Sequence, residues 1–442
     1  MRTCIVSVFV LCFLLAASPT TSQALDISLV GADPGPNATG EIPAWEGHKN
    51  LPCMSGYTPG QYYPNPYPDD KPLFRIDHTN VDQYKDRLSP GQIMRLKKHK
   101  NFYMNVYQSR RNIEFCPEFY AAVKKNRETC YVDEDGNIHG YNGAIAIPTP
   151  KNGVEAIWNI RRMYLGDDAD SLQCRRVVSP SGRIKKTMWQ TKVLNYGQTR
   201  LKSWPFPNPE GVFQKLRVLT TYPADEKGID FLSVSYLDSS RLDDTWLFLP
   251  TLRRVRRAPS MENGGQLDGE LTMDENGLEF RGTVSWWNWK LLGKKEMYVA
   301  YNCYDMFLPD VEDEDECWAM DINPERIRYE LHRVWVVEGT LKEGLSHPYS
   351  RRVGYYDEDM WQPVVADRYD KRGNLWRMYE AYGYADPCNK MRMYMGYLYM
   401  NLESGRYELF GGCRKMLPTT TVYDTGLDPS YFTVQALRAS GR

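Results

Sequence analysis

The chain has 442 residues with 55 basic and 56 acidic side chains, which gives a formal net charge of −1. Because nucleic-acid-binding domains usually carry a net positive charge, this balance argues against a nucleic-acid partner. Aromatic residues make up 13% of the chain, which favours strands with broad, partly hydrated faces over a small aliphatic core.

The N-terminal 24 residues have the layout of a secretory signal peptide. Arg2 precedes an apolar run over residues 5–17, and small residues follow as far as Ala24. The run holds thirteen residues, whereas a membrane-spanning helix needs about twenty. We therefore expect cleavage near Ala24 and a soluble exported protein.

Cysteine usage agrees with export. The chain has ten cysteines, of which eight follow the signal peptide, and an even number in an exported protein favours disulfide bonds. No CxxC pair occurs, so zinc-ribbon and thioredoxin-like sites lose their main support. Spacing alone does not determine the pairing. The pairs suggested by nearness in sequence, with the pair then left over, are Cys116–Cys130, Cys303–Cys317, Cys388–Cys413 and Cys53–Cys174.

By composition, the mature chain divides into an irregular segment and one large domain. Residues 25–75 are rich in Pro, Gly, Asn and Tyr, and proline removes backbone donors, so this segment is expected to lie irregularly on the surface. Residues 76–440 are expected to form a single domain, with helices over about 80–165 and mostly strands over about 175–425.

Helical segments are predicted mainly in the first half of the chain. Ser89 and Pro90 are a favourable N-cap and first residue for a helix that continues to Lys98. Apolar residues at helical spacing mark another helix after Asn152. The predicted segments, including a short C-terminal one, cover residues 82–88, 90–98 and 117–127, and begin again at 153 and at 429.

The second half of the chain shows the alternation that is typical of strands. Apolar and polar residues alternate over residues 327–338, so His332 is expected on the exposed face of its strand. Turn-rich stretches at residues 355–361 and 368–376 lie between apolar runs and predict consecutive hairpins. Helices come first and strands later, which indicates an α+β fold with a large antiparallel sheet.

Motifs for catalysis or cofactor binding are absent from the sequence. It contains no GxGxxG, GxxxxGK[ST], HExxH or GxSxG pattern. The acidic run over residues 312–316 lacks the glycine and spacing of a calcium loop, so we expect a solvated loop there. We therefore expect no catalytic residue, metal or cofactor, and a protein that is not an enzyme. A hydrolase that uses carboxylates in a cavity is the weaker alternative.

The stretch DDTWLFLPTLRRVRRAP, residues 243–259, ends a strand-like run with four arginines around one valine. On a strand, Arg254 and Arg256 face one way, whereas Arg253 and Arg257 face the other. One interpretation is a solvated strand end that discourages edge pairing. The other is a docking site for a lipid phosphate, a carboxylate head group or an acidic partner.

The same stretch resembles a segment of bacterial envelope proteins related to the outer-membrane lipoprotein-sorting (LolA/LolB-like) carriers. A strand of the type D-x-W-x-x-x-P, here Asp244, Trp246 and Pro250, is followed by the basic run 253–257 and a Gly/Asp-rich loop. The N-terminal motifs TGEIPAWEG, KPLFRIDHTNVDQYKDRLSPGQ and IPTPKNGVEAIWN are similar to those of the bacterial family catalogued as domain of unknown function 1329. The resemblance covers about residues 30–440.

This resemblance implies a half-open β-barrel, in which helices cover the concave face of a curved antiparallel sheet and enclose an apolar cavity for a lipid or lipid-like molecule. It also implies a periplasmic location, transient membrane contact, and work beside an inner-membrane efflux-type permease and an outer-membrane component. The alternative is an adaptor subunit whose own side chains fill the cavity. The candidate cavity residues are Trp158, Trp246, Phe248, Trp287, Trp335, Trp376 and Tyr397, and the docking candidates are Arg253, Arg254, Arg256 and Arg257.

Overall fold

The dominant feature of the protein is one large β-sheet. The computed structural model describes eight stretches of the chain, and the predicted signal peptide lies outside them. The described residues are 26–196, 210–238, 241–258, 275, 279–308, 311–411, 413 and 421–439. Within them, sixteen strands form a single sheet and two form a separate hairpin. The strands are β1 Phe74–Ile76, β2 Met104–Val106, β3 Tyr131–Val132, β4 Ile138–His139, β5 Asp168–Val178, β6 Ile184–Asn195, β7 Val212–Tyr222, β8 Asp230–Tyr236, β9 Asp244–Leu249, β10 Arg254–Arg257, β11 Trp287–Ala300, β12 Tyr329–Leu341, β13 Arg351–Asp357, β14 Pro363–Tyr369, β15 Leu375–Asp386, β16 Met391–Asn401, β17 Tyr407–Phe410 and β18 Val422–Tyr423.

The sheet is open and almost entirely antiparallel. Its order is β1-β2-β12-β13-β14-β15-β16-β17-β5-β6-β7-β8-β9-β10, with β11 also paired to β12 and β18 to β5. The parallel contact among the described strands joins Tyr329 of β12 to Val106 of β2. Long runs of consecutive hairpins, including those predicted around residues 355–361 and 368–376, build both halves of the sheet. The predicted α+β class with a large antiparallel sheet is confirmed.

Five α-helices are present in the described residues, and the helices predicted at 90–98, at 117–127 and from 153 are confirmed, whereas the segments predicted at 82–88 and from 429 begin as short 3-10 turns. Ser89 accepts a hydrogen bond from the Gln92 backbone N–H and the Gln92 side chain returns one, so a capping box begins the first helix. The Asn152 side chain caps the third helix through the Glu155 N–H. The helices are α1 Pro90–Lys98, α2 Pro117–Thr129, α3 Gly153–Arg161, α4 Asp313–Glu316 and α5 Val434–Ala439.

The helices pack on both faces of the sheet. Directly paired residues share a face, so the strand register assigns every side chain to one of two faces. Asp367 of β14 accepts hydrogen bonds from Ser89 and Gly91 at the start of α1, and the face it lies on, the α1 face, also carries α5 over β8–β10. Helix α3 lies on the opposite face, the α3 face. A Cβ added to Gly153 would be 2.4 Å from the Lys290 backbone nitrogen, so only glycine allows α3 to lie this close to β11.

Charged groups are buried in the core beside the apolar cluster. Arg95 of α1 is 1% exposed, and its guanidinium lies 2.8 Å from Glu380 and pairs with Asp321 as well. The coulombic attraction of these carboxylates holds the pKa of Arg95 well above its usual range despite burial. A buried ion pair is tolerated when its hydrogen bonds are satisfied, so this network fixes where α1 docks on the sheet.

Two disulfide bonds are present among the described residues, and they join distant segments. Cys53 pairs with Cys388 across 335 residues, and Cys174 pairs with Cys413 across 239 residues. The remaining mature cysteines, Cys116, Cys130, Cys303 and Cys317, are free thiols. The pairings suggested by nearness in sequence are therefore wrong, because tertiary packing brought each cysteine of β5 and of the N-terminal segment beside a late part of the chain.

Two further expectations about polar residues are wrong. His332 is 2% exposed, since Tyr301 stacks on its ring at 3.7 Å and Glu330 accepts from its Nε2 at 3.1 Å. The acidic run is not a solvated loop, because it forms α4 and its Glu316 is buried against Arg176. In both places a segment distant in sequence packs over side chains that the local sequence pattern predicts to be exposed.

Candidate ligand-binding site

Strands β6–β9 carry a continuous set of half-buried apolar side chains on the α3 face. Val193 lies opposite Leu216. Val218 lies opposite Phe231, which in turn lies opposite Leu247. We call this set the apolar floor, and its members are Val193, Leu216, Val218, Phe231, Leu247 and Leu249, all half-buried.

The opposite side of the same strands holds a packed apolar cluster. Leu194 and Leu232 are 0% and 1% exposed in a cluster beneath α5, together with Phe248. Successive side chains of a strand alternate between the two faces of the sheet. A strand with apolar residues at both odd and even positions therefore contributes apolar surface to both faces. Helix α5 covers one of these surfaces. None of the floor residues joins a core cluster formed by the described residues.

The floor has the dimensions of a site for a hydrocarbon chain. It extends across four adjacent strands, and a neighbouring strand lies about 4.8 Å away, so its width is about 14 Å. Burial of one methylene stabilises a complex by about 0.8 kcal/mol. A surface of this width accommodates several methylenes of an extended chain.

Two of the four docking arginines border the floor. Arg254 pairs with Leu249 and Arg256 with Leu247 on the edge strand β10, so both lie on the α3 face, and both are exposed. Arg257 lies on the other face and forms an ion pair with Asp244. The alternation predicted for this stretch thus places Arg254 and Arg256 on the α3 face and Arg257, with its ion pair to Asp244, on the α1 face.

Arg253 does not belong to the strand. It lies in the turn between β9 and β10 with a backbone φ of 48°, in the left-handed region. Its side chain is exposed. The structure therefore separates the basic run into a turn residue, two floor-side cations and one cation on the α1 face.

The other end of the floor is polar, with Ser233, Ser235 and Gln214 buried and Asp243 and Arg281 half-buried. Asp243 accepts hydrogen bonds from the hydroxyls of Ser233 and Ser235, and burial raises the pKa of its carboxyl. Arg281 donates to Gln214, and burial lowers the pKa of its guanidinium. Ser233, Ser235 and Gln214 all lie on the α3 face, so this strip continues the floor along the strands.

An aromatic patch extends the same face toward β14. Tyr397 stacks on Phe410 with ring centroids 4.3 Å apart, and Trp189 contacts Phe410 at 6.1 Å. Trp189 pairs with Thr220 beside the floor. The Tyr399 hydroxyl donates to the backbone carbonyl of Glu275, which places that residue over the patch. The patch is closed by the protein itself, whereas the floor keeps exposed surface.

The seven aromatic cavity candidates do not form one cluster. Tyr397 lies on the same face as the floor, through the aromatic patch. Trp246 and Phe248 lie on the α1 face, beneath α5. Trp158 and Trp287 are 1% and 2% exposed in the main core, on the side covered by α3.

The last two candidates are half-buried at the margin of that core. Trp335 stacks on Trp361 with ring centroids 5.1 Å apart. Trp376 lies 3.8 Å from the Arg377 guanidinium. Sequence reasoning favoured aromatic residues as cavity candidates and missed the floor, whose members other than Phe231 are aliphatic. The signal that marks it is the presence of apolar residues at both parities in DTWLFL.

A small polar cavity that no floor residue lines is unsuited to a lipid. Its volume is about 50 Å³, close to that of one or two water molecules, and its lining is polar. Among its lining residues are Asn65, Asp70, Asn302, Asp305 and Arg328. The described residues also contain no group of three or more His, Cys, Asp or Glu side chains placed to hold a metal ion.

Comparison with known proteins identifies the family. The family model described as "Protein of unknown function (DUF1329)" matches residues 75–438. The chain belongs to this family. Protein PA3922 of Pseudomonas aeruginosa, described as uncharacterized, is 33% identical to it over 436 residues, which cover 97% of this chain and 94% of that protein.

Solved structures similar to this DUF1329 member cover about two thirds of the chain. A DUF1329 family protein from Desulfovibrio piger is 17% identical, with a TM-score of 0.45, covering 64% of this chain and 96% of its own. A putative outer membrane lipoprotein-sorting protein domain from Vibrio parahaemolyticus is 18% identical, with a TM-score of 0.46, covering 65% of this chain and 98% of its own.

Proposed function

We propose that this DUF1329 protein binds a lipid or lipid-like molecule on the apolar floor and carries it through an aqueous compartment without chemical change. The observation that supports this most directly is the floor itself: Leu216, Val218 and Phe231 stay half-buried and join no core cluster of the described residues, whereas α5 covers a packed cluster on the opposite side. A contiguous apolar surface rimmed by polar groups is typical of a binding site.

The energetics of an aqueous crossing require such a surface. Exposing hydrocarbon to water costs about 0.8 kcal/mol per methylene, or on the order of 12 kcal/mol for a sixteen-carbon chain. A protein that covers most of that chain removes most of this cost. No reactive group is needed for this task, and the proposed role is that of a carrier.

The arginines at the rim are proposed to contact the membrane from which the ligand is collected. Arg254 and Arg256 are exposed and lie on the floor's own face. A cation near an anionic membrane surface is attracted by about 1 kcal/mol. Membrane contact through this edge would bring the floor next to the lipids.

The compartment proposed for this activity is the periplasm. Two disulfide bonds are typical of an oxidising compartment. Among the described residues, no helix has the length and apolar character to cross a bilayer. The partners proposed from the family resemblance are an inner-membrane efflux-type permease and an outer-membrane component, between which the ligand would pass.

The test is the lipid content of protein isolated from its native envelope. Native mass spectrometry should show an apolar adduct on the wild type, and the adduct should be lost in Leu216→Asp, which places a charge on the floor. Leu172→Asp is the matched control, because Leu172 is 37% exposed on the α1 face of β5. A wild-type protein without adduct or affinity for apolar probes would instead support an adaptor subunit.

A further inference from the structure

Arg162 is a buried cation that forms no ion pair within the part of the chain that the structure describes. It follows α3 directly and is 1% exposed. Its Nε and Nη1 atoms are buried without a hydrogen-bond partner, and no ion pair joins it to an acidic side chain of the described residues. Its guanidinium instead lies over two rings, 4.3 Å from that of Phe213 and 4.6 Å from that of Tyr141.

Burying such a charged group without a partner costs free energy of folding. A buried charge without hydrogen bonds loses its hydration, and attraction to ring faces replaces only part of that loss. Burial lowers the pKa of Arg162 to about 10, which still leaves the guanidinium protonated at neutral pH. Some other buried arginines are paired with carboxylates, as Arg95 is with Asp321 and Glu380.

Arg162 lies within the field of a second buried guanidinium, that of Arg161. Burial raises the pKa of the Asp243 carboxyl, and the charges of Arg281 and Arg161 offset part of that rise. Arg161 also adds to the field at Arg162 and lowers its pKa. A neighbouring cation therefore adds to the cost of keeping Arg162 charged.

Arg162 stands at the end of the apolar floor. Phe213, whose ring it contacts, precedes Gln214 of the polar strip, and Leu216 of the floor follows two residues later on the same face. Three residues of a strand span about 10 Å. A chain lying on the floor thus ends close to this cluster.

We infer that the ligand is an anionic amphiphile, such as a fatty acid, whose charged group is bound by the guanidinium of Arg162 while its hydrocarbon chain lies on the floor. This inference rests on the proposed function and adds the class and the orientation of the ligand. An arginine fork binds a carboxylate through two parallel hydrogen bonds, from Nη2 together with either Nε or Nη1, so the ligand would supply a partner to one of the two orphaned nitrogens. The ligand then enters head first, and Arg254 and Arg256 stay available for the membrane surface.

The opposite orientation has the tail inside and the head group at the rim arginines. Two fluorescent probes distinguish the orientations: cis-parinaric acid and its methyl ester, which share the same chain and differ in the charged group. Wild-type protein should bind the acid at least tenfold more tightly than the ester.

Variants then locate the charge contact. Arg162→Met should reduce affinity for the acid to that for the ester and leave ester binding within about twofold. Arg352→Met is the matched control, because Arg352 is also 1% exposed over aromatic rings, at 4.3 Å from Trp287, and should keep the preference for the acid. Arg254→Ser with Arg256→Ser should keep it as well. Arg162→Lys retains a cation and should keep part of the preference for the acid, so it serves as the test variant if Arg162→Met folds poorly.

The outcomes separate the inference from the proposed function. Equal affinity of the wild type for acid and ester, or a preference that survives Arg162→Met and disappears in the rim variant, would overturn the inference while the carrier function stands. Failure of both probes to bind the wild type would overturn both.

Discussion

Leu247 and Phe248 are neighbours in β9, yet they face opposite environments. Phe248 is 6% exposed beneath α5, in the cluster that contains Leu437. Leu247 is half-buried on the α3 face, between Phe231 and Arg256. One residue of the pair therefore belongs to the structural core and the other to the proposed ligand surface.

This pair predicts a separation of stability from binding. Phe248→Ala should lower the free energy of unfolding by about 3–5 kcal/mol, because it leaves a cavity in a packed cluster. Leu247→Ala should lower it by less than about 1.5 kcal/mol but weaken binding of an apolar probe several-fold. Urea unfolding and probe titration of both variants check this. Equal loss of stability in the two would contradict the assignment of the floor.

The rim arginines predict a salt-dependent membrane contact. Arg254→Ser with Arg256→Ser should weaken binding to vesicles rich in anionic lipid by about 2 kcal/mol, near thirtyfold, at low ionic strength. The unfolding midpoint should not change, since both side chains are exposed. Vesicle co-sedimentation at two salt concentrations measures the effect. The control changes Lys371 and Arg372, two exposed cations at the β14–β15 turn, to serine; an equal loss there would indicate unspecific attraction.

The disulfide pattern predicts a thiol count. Alkylation of unfolded, unreduced mature protein should modify four cysteines and leave four protected. Peptide mapping should find Cys53 linked to Cys388 and Cys174 linked to Cys413. Cys53→Ser with Cys388→Ser should cost about 2–5 kcal/mol of stability, since a long loop is released in the unfolded state. A bond between Cys116 and Cys130 would contradict the packing of α2.

Asp357 predicts a pH dependence of stability. Burial, with the nearby Asp359 charge, raises its pKa to about 7 from an ordinary value of 3.8. The folded state then binds more protons than the unfolded state between about pH 4 and pH 7, so this group lowers stability progressively as pH rises through that window. Above pH 7 the full loss is present, on the order of 4 kcal/mol.

The variant Asp357→Asn isolates that contribution. It keeps the oxygen that accepts the Asp359 backbone N–H at 2.9 Å and removes the charge. Its stability relative to the wild type should increase between pH 4 and pH 7 and become constant above pH 7. Unfolding curves at five pH values measure this difference. A difference that is flat with pH would show that Asp357 titrates normally.

Local signals determined much of the fold correctly. Ser89 followed by Pro90 was sufficient for α1, because capping depends on residues within one turn. Hairpins at residues 355–361 and 368–376 likewise depend on neighbouring residues. The cysteine pairs and the burial of His332 depend on segments far apart in sequence, which local patterns do not contain.

For the candidate site the division is similar. Alternation along a strand determined by itself that Arg254 and Arg256 share a face and that Arg257 lies on the other. Only the tertiary structure decided which face is which, because α5 returns from the end of the chain to cover the side that holds Phe248. Arg162 gave no signal in the sequence. Among the described residues it has no ion-pair partner at the place where it contacts Phe213 of β7. That absence depends on which residues the fold brings together there, so a local sequence pattern does not show it.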